Sequence, residues 1–169
     1  VDTLQLSYKK RKLGIKCEDI SLNMIFSGNP GTGKTTVARV LGKILKEIGV
    51  LKKGHLVEVT RSDLVGQYVG QTAPKTLEKI KEAYGGILFI DEAYSLNGNG
   101  DNDFGSEALA TLIKEMEDNR DKLVVIMAGY TAEMKSLMDL NPGLQSRVKF
   151  ELEFEDYNCE QLFEIFLLC

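Results

Sequence analysis

The sequence predicts an α/β domain built on a mainly parallel sheet, and three observations carry that expectation. Short apolar runs bounded by turns alternate with longer stretches at helical spacing. Several runs, such as Ile87-Leu88-Phe89-Ile90 and Leu123 to Ala128, are continuous rather than alternating in polarity, the signature of strands covered on both faces. The residues able to do chemistry stand where these runs end, which is where open α/β sheets hold ligands.

Residues Val1 to Ile20 read as a helix and a loop, with the basic run Lys9-Lys10-Arg11-Lys12 as a solvated face. Leu22 to Ser27 is the first strand, and Thr36 to Ile48 is a helix with Val37, Val40, Leu41, Ile44, Leu45 and Ile48 at helical spacing, ended by Gly49. Leu56 to Thr60 is a second strand, and Pro74 to Tyr84 a helix with Leu77, Ile80 and Lys81 in register, closed by Gly85-Gly86. Ile87 to Ile90 is the third strand. Asn97 to Asp103 is a loop whose Asp and Asn residues lack the glycine and bidentate Glu spacing of a calcium loop. Ser106 to Glu117 is a helix with Leu109, Leu112, Ile113 and Met116 inward, and Leu123 to Ala128 the fourth strand. Thr131 to Leu140 is a helix capped by Thr131 and stopped by Asn141-Pro142-Gly143. Val148 to Phe154 is the fifth strand, and Asp156 to Leu168 an amphipathic helix with Leu162, Phe163, Phe166 and Leu167 on one face.

With 169 residues, 43% of them hydrophobic, the chain can bury one substantial core and is short for two. A net charge of -4 supplies no basic field, so neither nucleic acid nor an anionic membrane is expected as a partner. No apolar run approaches the roughly 20 residues that span a bilayer, and the opening residues lack the form of a signal peptide, so the expected location is the cytoplasm. Cys17, Cys159 and Cys169, with His55 as the single histidine, show no metal-ligand spacing and are expected to be structural thiols.

Two elements carry chemistry. Gly28-Asn29-Pro30-Gly31-Thr32-Gly33-Lys34-Thr35 matches the phosphate loop G-x-x-x-x-G-K-[ST] between a strand and a helix. Its glycines let backbone N–H groups turn inward around a polyphosphate, the helix adds its positive end, Lys34 neutralises the outer phosphates and the Thr35 hydroxyl holds Mg²⁺. Asn29, Pro30, Gly31, Thr32, Gly33, Lys34, Thr35 and Thr36 are the candidate nucleotide-binding residues. Asp91 and Glu92, delivered where the third strand ends, are the second element. The first can bind Mg²⁺ and the second can orient or deprotonate a water. Alone they read as solvated acids capping a strand; with the phosphate loop upstream they read as a catalytic pair.

These residues resemble a family. The blocks GNPGTGKTTVAR, KGHLVEV, SDLVGQYVGQTAPKT, GGILFIDEAYSL, VVIMAGYTAEM and NPGLQSR, in order from Gly28 to Arg147, are similar to AAA+ ATPases of the branch of the CbbX-type rubisco activases and stage V sporulation protein K. The resemblance implies a P-loop NTPase domain of three layers, α/β/α, with a five-stranded sheet. It implies ATP and Mg²⁺ as cofactors, Lys34 and Thr35 on the phosphates and metal, Asp91 as metal ligand and Glu92 as the water-activating acid. It also implies that Arg147 is an arginine finger reaching a neighbouring subunit's ATP in a ring of six, where capping a local carboxylate is the plain alternative. Tyr68-Val69-Gly70 resembles an aromatic pore loop that grips a client protein, against a tyrosine buried under a loop.

The sequence departs from the family where the fourth strand ends in Gly129-Tyr130-Thr131 rather than in an Asn that senses the γ-phosphate; Tyr130 and Thr131 are the candidate substitutes. Residues 1–155 are expected to be the large nucleotide-binding subdomain and 156–169 the first helix of a helical lid otherwise missing, so that adenine contacts are incomplete and the fragment is weakly active. Two functions fit these residues: an ATPase ring that remodels a client, or an ATP-dependent switch or scaffold without threading activity. A P-loop kinase fits less well, since acceptor-binding elements are not visible.

Overall fold

The continuous apolar runs each form a strand because their side chains, pointing alternately to two faces, are buried on both. The computed structural model describes residues 21–98 and 104–168. The expected opening helix over 1–20, Cys17, the 99–103 part of the Asn97–Asp103 loop and Cys169 lie outside the described residues. Strands β1 (Asn23–Gly28), β2 (Leu56–Val59), β3 (Ile87–Ile90), β4 (Val124–Gly129) and β5 (Val148–Phe154) form one sheet in the order β2-β3-β4-β1-β5. Every pairing in it is parallel.

Ile25, Leu88, Ile90, Val125 and Met127 point to one face of the sheet. Helices α2 (Arg61–Leu64), α3 (Thr72–Glu82), α4 (Gly105–Asp118), α5 (Thr131–Leu140) and α6 (Pro142–Arg147) cover that face through Leu64, Ile80, Leu112, Leu137 and Leu144. Met24, Phe26, Ile87, Phe89 and Ile126 point to the other, where α1 (Lys34–Glu47) packs through Ala38 and Leu45. The result is the three-layer α/β/α arrangement.

Several details differ from the sequence expectation. Helix α1 starts at Lys34, two residues early, and only part of its apolar stripe is the buried face: Leu45 is buried and Leu41 and Ile48 pack against the core, while Val37, Val40 and Ile44 are 41%, 49% and 50% exposed. The helix buries Ala38, Gly42 and Leu45; a Cβ on Gly42 would meet the Gly54 carbonyl oxygen at 2.6 Å, so the closest contact selects a small residue and leaves Val37, Val40 and Ile44 facing outward. Val37, Val40, Leu41 and Ile44 instead line an apolar groove of about 250 Å³ with Met24, Phe26, Phe150 and Leu152.

Helix α2 is an addition to the expected elements, although its signal is present as Thr60-x-x-Asp63. The Asp63 carboxylate accepts from the Thr60 N–H at 2.8 Å and from its hydroxyl at 2.9 Å, which holds the carboxyl below its usual range. Helix α3 buries Thr72, Thr76 and Ile80 rather than centring on Leu77 and Lys81, because Thr72 accepts from the Gly66 N–H and Thr76 donates to the Leu64 carbonyl. Thr131 opens α5 without capping it: Tyr130 holds the cap position, and the Thr131 hydroxyl faces Glu153 at 3.4 Å. Asn141 ends α5, and Pro142, suited to a first helical position, starts α6 at once. Helix α7 (Cys159–Leu168) begins three residues later than expected, behind an Asn158 cap whose side-chain oxygen accepts from the Gln161 N–H at 2.9 Å. Its Leu162, Phe163, Phe166 and Leu167 are exposed among the described residues. Cys159 is exposed and free rather than packed, so it is not the structural thiol expected.

One buried polar residue extends the ladder where β1 begins. Asn23 is 2% exposed, and its side-chain oxygen accepts from the Val125 N–H at 2.9 Å while its amide donates to the Ser21 hydroxyl at 2.9 Å. It sits where the β1–β5 register shifts, Asn23 opposite Val148 and Met24 opposite Phe150. Asn23→Ala strands the Val125 N–H away from water, and an orphaned buried donor costs about 1–3 kcal/mol. Urea unfolding is expected to show a loss of that size; an unchanged midpoint would mean that water replaces the amide.

Candidate functional site

The candidate residues meet because of strand order. β4 lies between β1 and β3, so the loop after β1 and the acids after β3 stand two strand spacings apart, about 10 Å. Asp91 is fixed at that end by donating its N–H to the Val59 carbonyl at 2.9 Å, one step beyond the β2–β3 pairs. The chain then turns sharply: Glu92 has φ 49, the one non-glycine residue with positive φ among those described, and its N–H bonds the Asp91 carboxylate at 3.0 Å. The 3-10 turn Ala93–Leu96 comes next.

On the β1 side the chain leaves the strand through Gly28, with φ 140; a Cβ there would lie 2.3 Å from the Phe154 carbonyl oxygen, so glycine is required by conformation and by space. Gly33, with φ 88, turns the loop directly into α1. The Lys34 ammonium donates to the Gly28 carbonyl at 2.9 Å and to the Asn29 carbonyl at 2.7 Å, and the Thr32 hydroxyl donates to the same Asn29 oxygen at 2.8 Å.

A cleft of about 360 Å³ opens between these two ends, lined by Gly28, Pro30, Gly31, Gly33, Lys34, Thr35 and Thr36 on one side and by Asp91, Glu92, Tyr94, Gly129 and Tyr130 on the other. Of the expected site residues, the structure brings together Pro30, Gly31, Gly33, Lys34, Thr35, Thr36, Asp91, Glu92 and Tyr130. The side chains of Asn29 and Thr32 are engaged elsewhere: the Thr32 hydroxyl bonds within the loop, where the residue is 5% exposed, and the Asn29 amide reaches out of the loop to Asp156. Between the two substitutes considered for the end of β4, Tyr130 lines the cleft and Thr131 does not. Tyr94 and Tyr130 pack with ring centroids 5.9 Å apart, and burial with the nearby Glu92 carboxylate holds the Tyr94 phenol above its usual range. Sequence reading missed Tyr94; Gly129, where a Cβ would meet the Tyr94 ring at 2.7 Å, is its one indirect signal.

The donor set suits a polyphosphate with a hard divalent cation. The N-terminus of a 14-residue helix and an ammonium face the anion, and Thr35 and Asp91 offer oxygen ligands. No group of three or more His, Cys, Asp or Glu is placed to hold a metal among the described residues, so a cation here would take its other ligands from water and phosphate.

Arg147 and Tyr68 lie elsewhere. Arg147 ends α6 and precedes Val148, the residue level with Asn23 at the start of β1, so the length of β1 separates it from the loop. Its Nε stands 3.3 Å from a Glu117 carboxylate oxygen, and its guanidinium donates to the Gly143 carbonyl at 3.0 Å. Tyr68 is 68% exposed and Val69 is 86% exposed, on the turn between α2 and α3. No helix among the described residues is long and apolar enough to cross a membrane.

The profile of the ATPase family associated with various cellular activities (AAA) matches residues 24–156. The chain is 54% identical over 160 residues to stage V sporulation protein K of Bacillus subtilis, covering 95% of this chain and 50% of that protein. It is 54% identical over 157 residues to the protein CbbX of Cereibacter sphaeroides, covering 92% and 51%. It is 52% identical over 157 residues to the chloroplastic ribulose bisphosphate carboxylase/oxygenase activase of Cyanidioschyzon merolae, covering 92% and 54%. The chain thus spans about half the length of these relatives. The FIGL-1 AAA domain, solved in complex with ADP, has the same fold at a TM-score of 0.64 and 19% identity, covering 99% of this chain and 56% of that one.

The positive φ of Glu92 generates a prediction. A left-handed non-glycine residue carries about 1 kcal/mol or more of strain, and Asn tolerates that conformation better than Glu. Glu92→Asn is expected to raise stability by about 0.5–1 kcal/mol in urea unfolding. A lower midpoint would show that the turn stores no strain at this residue.

Proposed function

The chain belongs to the AAA family of ATPases, and on that premise we propose that it binds Mg²⁺-ATP in the cleft at the strand ends and hydrolyses it as one subunit of a ring that remodels a client protein. The observation that carries the reading is the convergence of Lys34 and Thr35 with Asp91 and Glu92 on one cleft. Mg²⁺ bound there would neutralise charge on the transferring phosphoryl group.

The chain's own residues do the rest. Backbone N–H groups of the loop and the start of α1 receive the phosphates, and Lys34 exchanges its hold on the Gly28 and Asn29 carbonyls for phosphate oxygens. Thr35 and Asp91 hold the cation. Glu92, lining the same cleft and turned by its backbone away from the strand, orients water and takes its proton as the water attacks the γ-phosphate, whose bond to the bridging oxygen breaks to leave ADP and inorganic phosphate.

Arg147 stands at the far end of β1 from the phosphate loop, out of reach of its own cleft, so on this reading it acts on a neighbouring subunit's ATP. In the single chain it makes the contact of the plain alternative, pairing with the Glu117 carboxylate while its side chain is 26% open. The exposure of Tyr68 supports a gripping role over a buried structural one. We assign residues 1–155 to the nucleotide-binding unit and 156–169 to the start of a helical one. The client is proposed only as a polypeptide, and the ring as six subunits.

ATP turnover of the full-length protein against its concentration tests the reading. Specific activity is expected to rise with concentration, to vanish in Lys34→Ala, and to fall about 10³-fold in Arg147→Ala, the scale of an arginine supplied in trans. Tyr68→Ala is expected to retain turnover and lose remodelling. Activity independent of concentration and of Arg147 would overturn the ring.

A further inference from the structure

The phosphate loop is gripped from outside by two residues more than a hundred positions away. The Asn29 side-chain amide donates to both carboxylate oxygens of Asp156, at 3.0 and 2.9 Å. The Tyr157 hydroxyl donates to the Thr32 carbonyl at 3.0 Å, and a Cβ on Gly33 would stand 3.0 Å from that same hydroxyl. Asp156 and Tyr157 follow β5 after a single intervening residue, and neither lines the cleft.

The two bonds fall on the residues that organise the loop. Asn29 presents the carbonyl that receives both Lys34 and Thr32, so fixing its side chain fixes the acceptor on which the ammonium rests. Thr32, held at its own carbonyl, is one residue from the Gly33 turn that aims α1. On the other side the grip continues without slack into α7: Asn158 accepts from the Gln161 N–H and donates its own N–H to the Gln161 side chain at 3.0 Å. Three consecutive residues therefore join the loop at one end and the first turn of a helix at the other.

We propose that Asp156 and Tyr157 are positioning residues of the phosphate loop, and that through them the state of the loop is transmitted to the start of α7. The proposal rests on the reading that the loop holds a nucleotide. A polyphosphate draws Lys34 off the Gly28 and Asn29 carbonyls; Asn29 is the residue whose side chain Asp156 holds, and Thr32, held by Tyr157 at its carbonyl, shares the Asn29 oxygen with the ammonium, so the release reaches both gripped residues through Asn29.

The test uses the full-length protein and fluorescent ADP, which binds without turnover. Tyr157→Phe removes one hydroxyl, and Asp156→Ala removes the carboxylate; each is expected to change ADP affinity about 3- to 10-fold with the thermal midpoint little altered. Because Asp156 acts through Asn29, adding Asn29→Ala to Asp156→Ala should change affinity no further. Hydrogen exchange over residues 159–163 should respond to ADP in the parent protein and much less in Tyr157→Phe. If the parent binds ADP while the variants bind equally well and show the same exchange response, the positioning role is overturned and the nucleotide reading stands. If the parent itself does not bind ADP, both fall. Additive effects of Asp156→Ala and Asn29→Ala would also count against the proposal, since independent structural lesions add.

Discussion

The site depends on one strand standing between two others. Because β4 pairs with both β1 and β3, the loop after the first and the acids after the third face each other across a fixed gap. The ladder sets that gap through hydrogen bonds, with no side chain at the ends having to hold it. Parallel pairing also brings the carboxyl ends of the strands to one edge, so a phosphate-sized space arises there from backbone geometry alone. The near-total burial of β1, β3 and β4 makes this arrangement stiff.

Much of this was legible in the sequence. Continuous runs such as Ile87 to Ile90 announce buried parallel strands, and the G-x-x-x-x-G-K-T spacing announces a phosphate loop at the end of the first of them. The limits of legibility have physical causes. The stripe Val37, Val40, Ile44 has helical spacing, yet periodicity does not say which of two faces meets the sheet; the close approach at Gly42 decided it. Thr72 and Thr76 look polar in sequence and are buried in α3 because Gly66 and Leu64, just after and at the end of α2, supply partners for their hydroxyls. Tyr94 gave no signal of its own, since its place in the cleft depends on a glycine on another strand. The contacts of Asp156 and Tyr157 with the loop were equally invisible, because they join residues that only the pairing of β5 beside β1 brings together.

The two edges of the sheet are unlike. β2 is short and adjoins α2 and α3, whereas β5 presents exposed side chains from Lys149 to Glu153 beside β1. Its Phe150 and Leu152 continue the apolar surface of α1, while Lys149, Glu151 and Glu153 alternate with them, the pattern of a strand with one oily and one wetted face. Charged residues along an edge strand also discourage pairing with a further strand.

The resting place of Lys34 has a consequence for selectivity. Its ammonium is already solvated by two main-chain oxygens, so an arriving anion gains only the difference between its own attraction and theirs. A singly charged ligand gains little from that exchange. One with several charged oxygens on successive phosphorus atoms engages the ammonium, the helix end and the loop amides at once, and its advantage multiplies with each. In the proposed site, the loop would thus set a threshold on ligand valence, discriminating by charge number before any contact with a base or sugar.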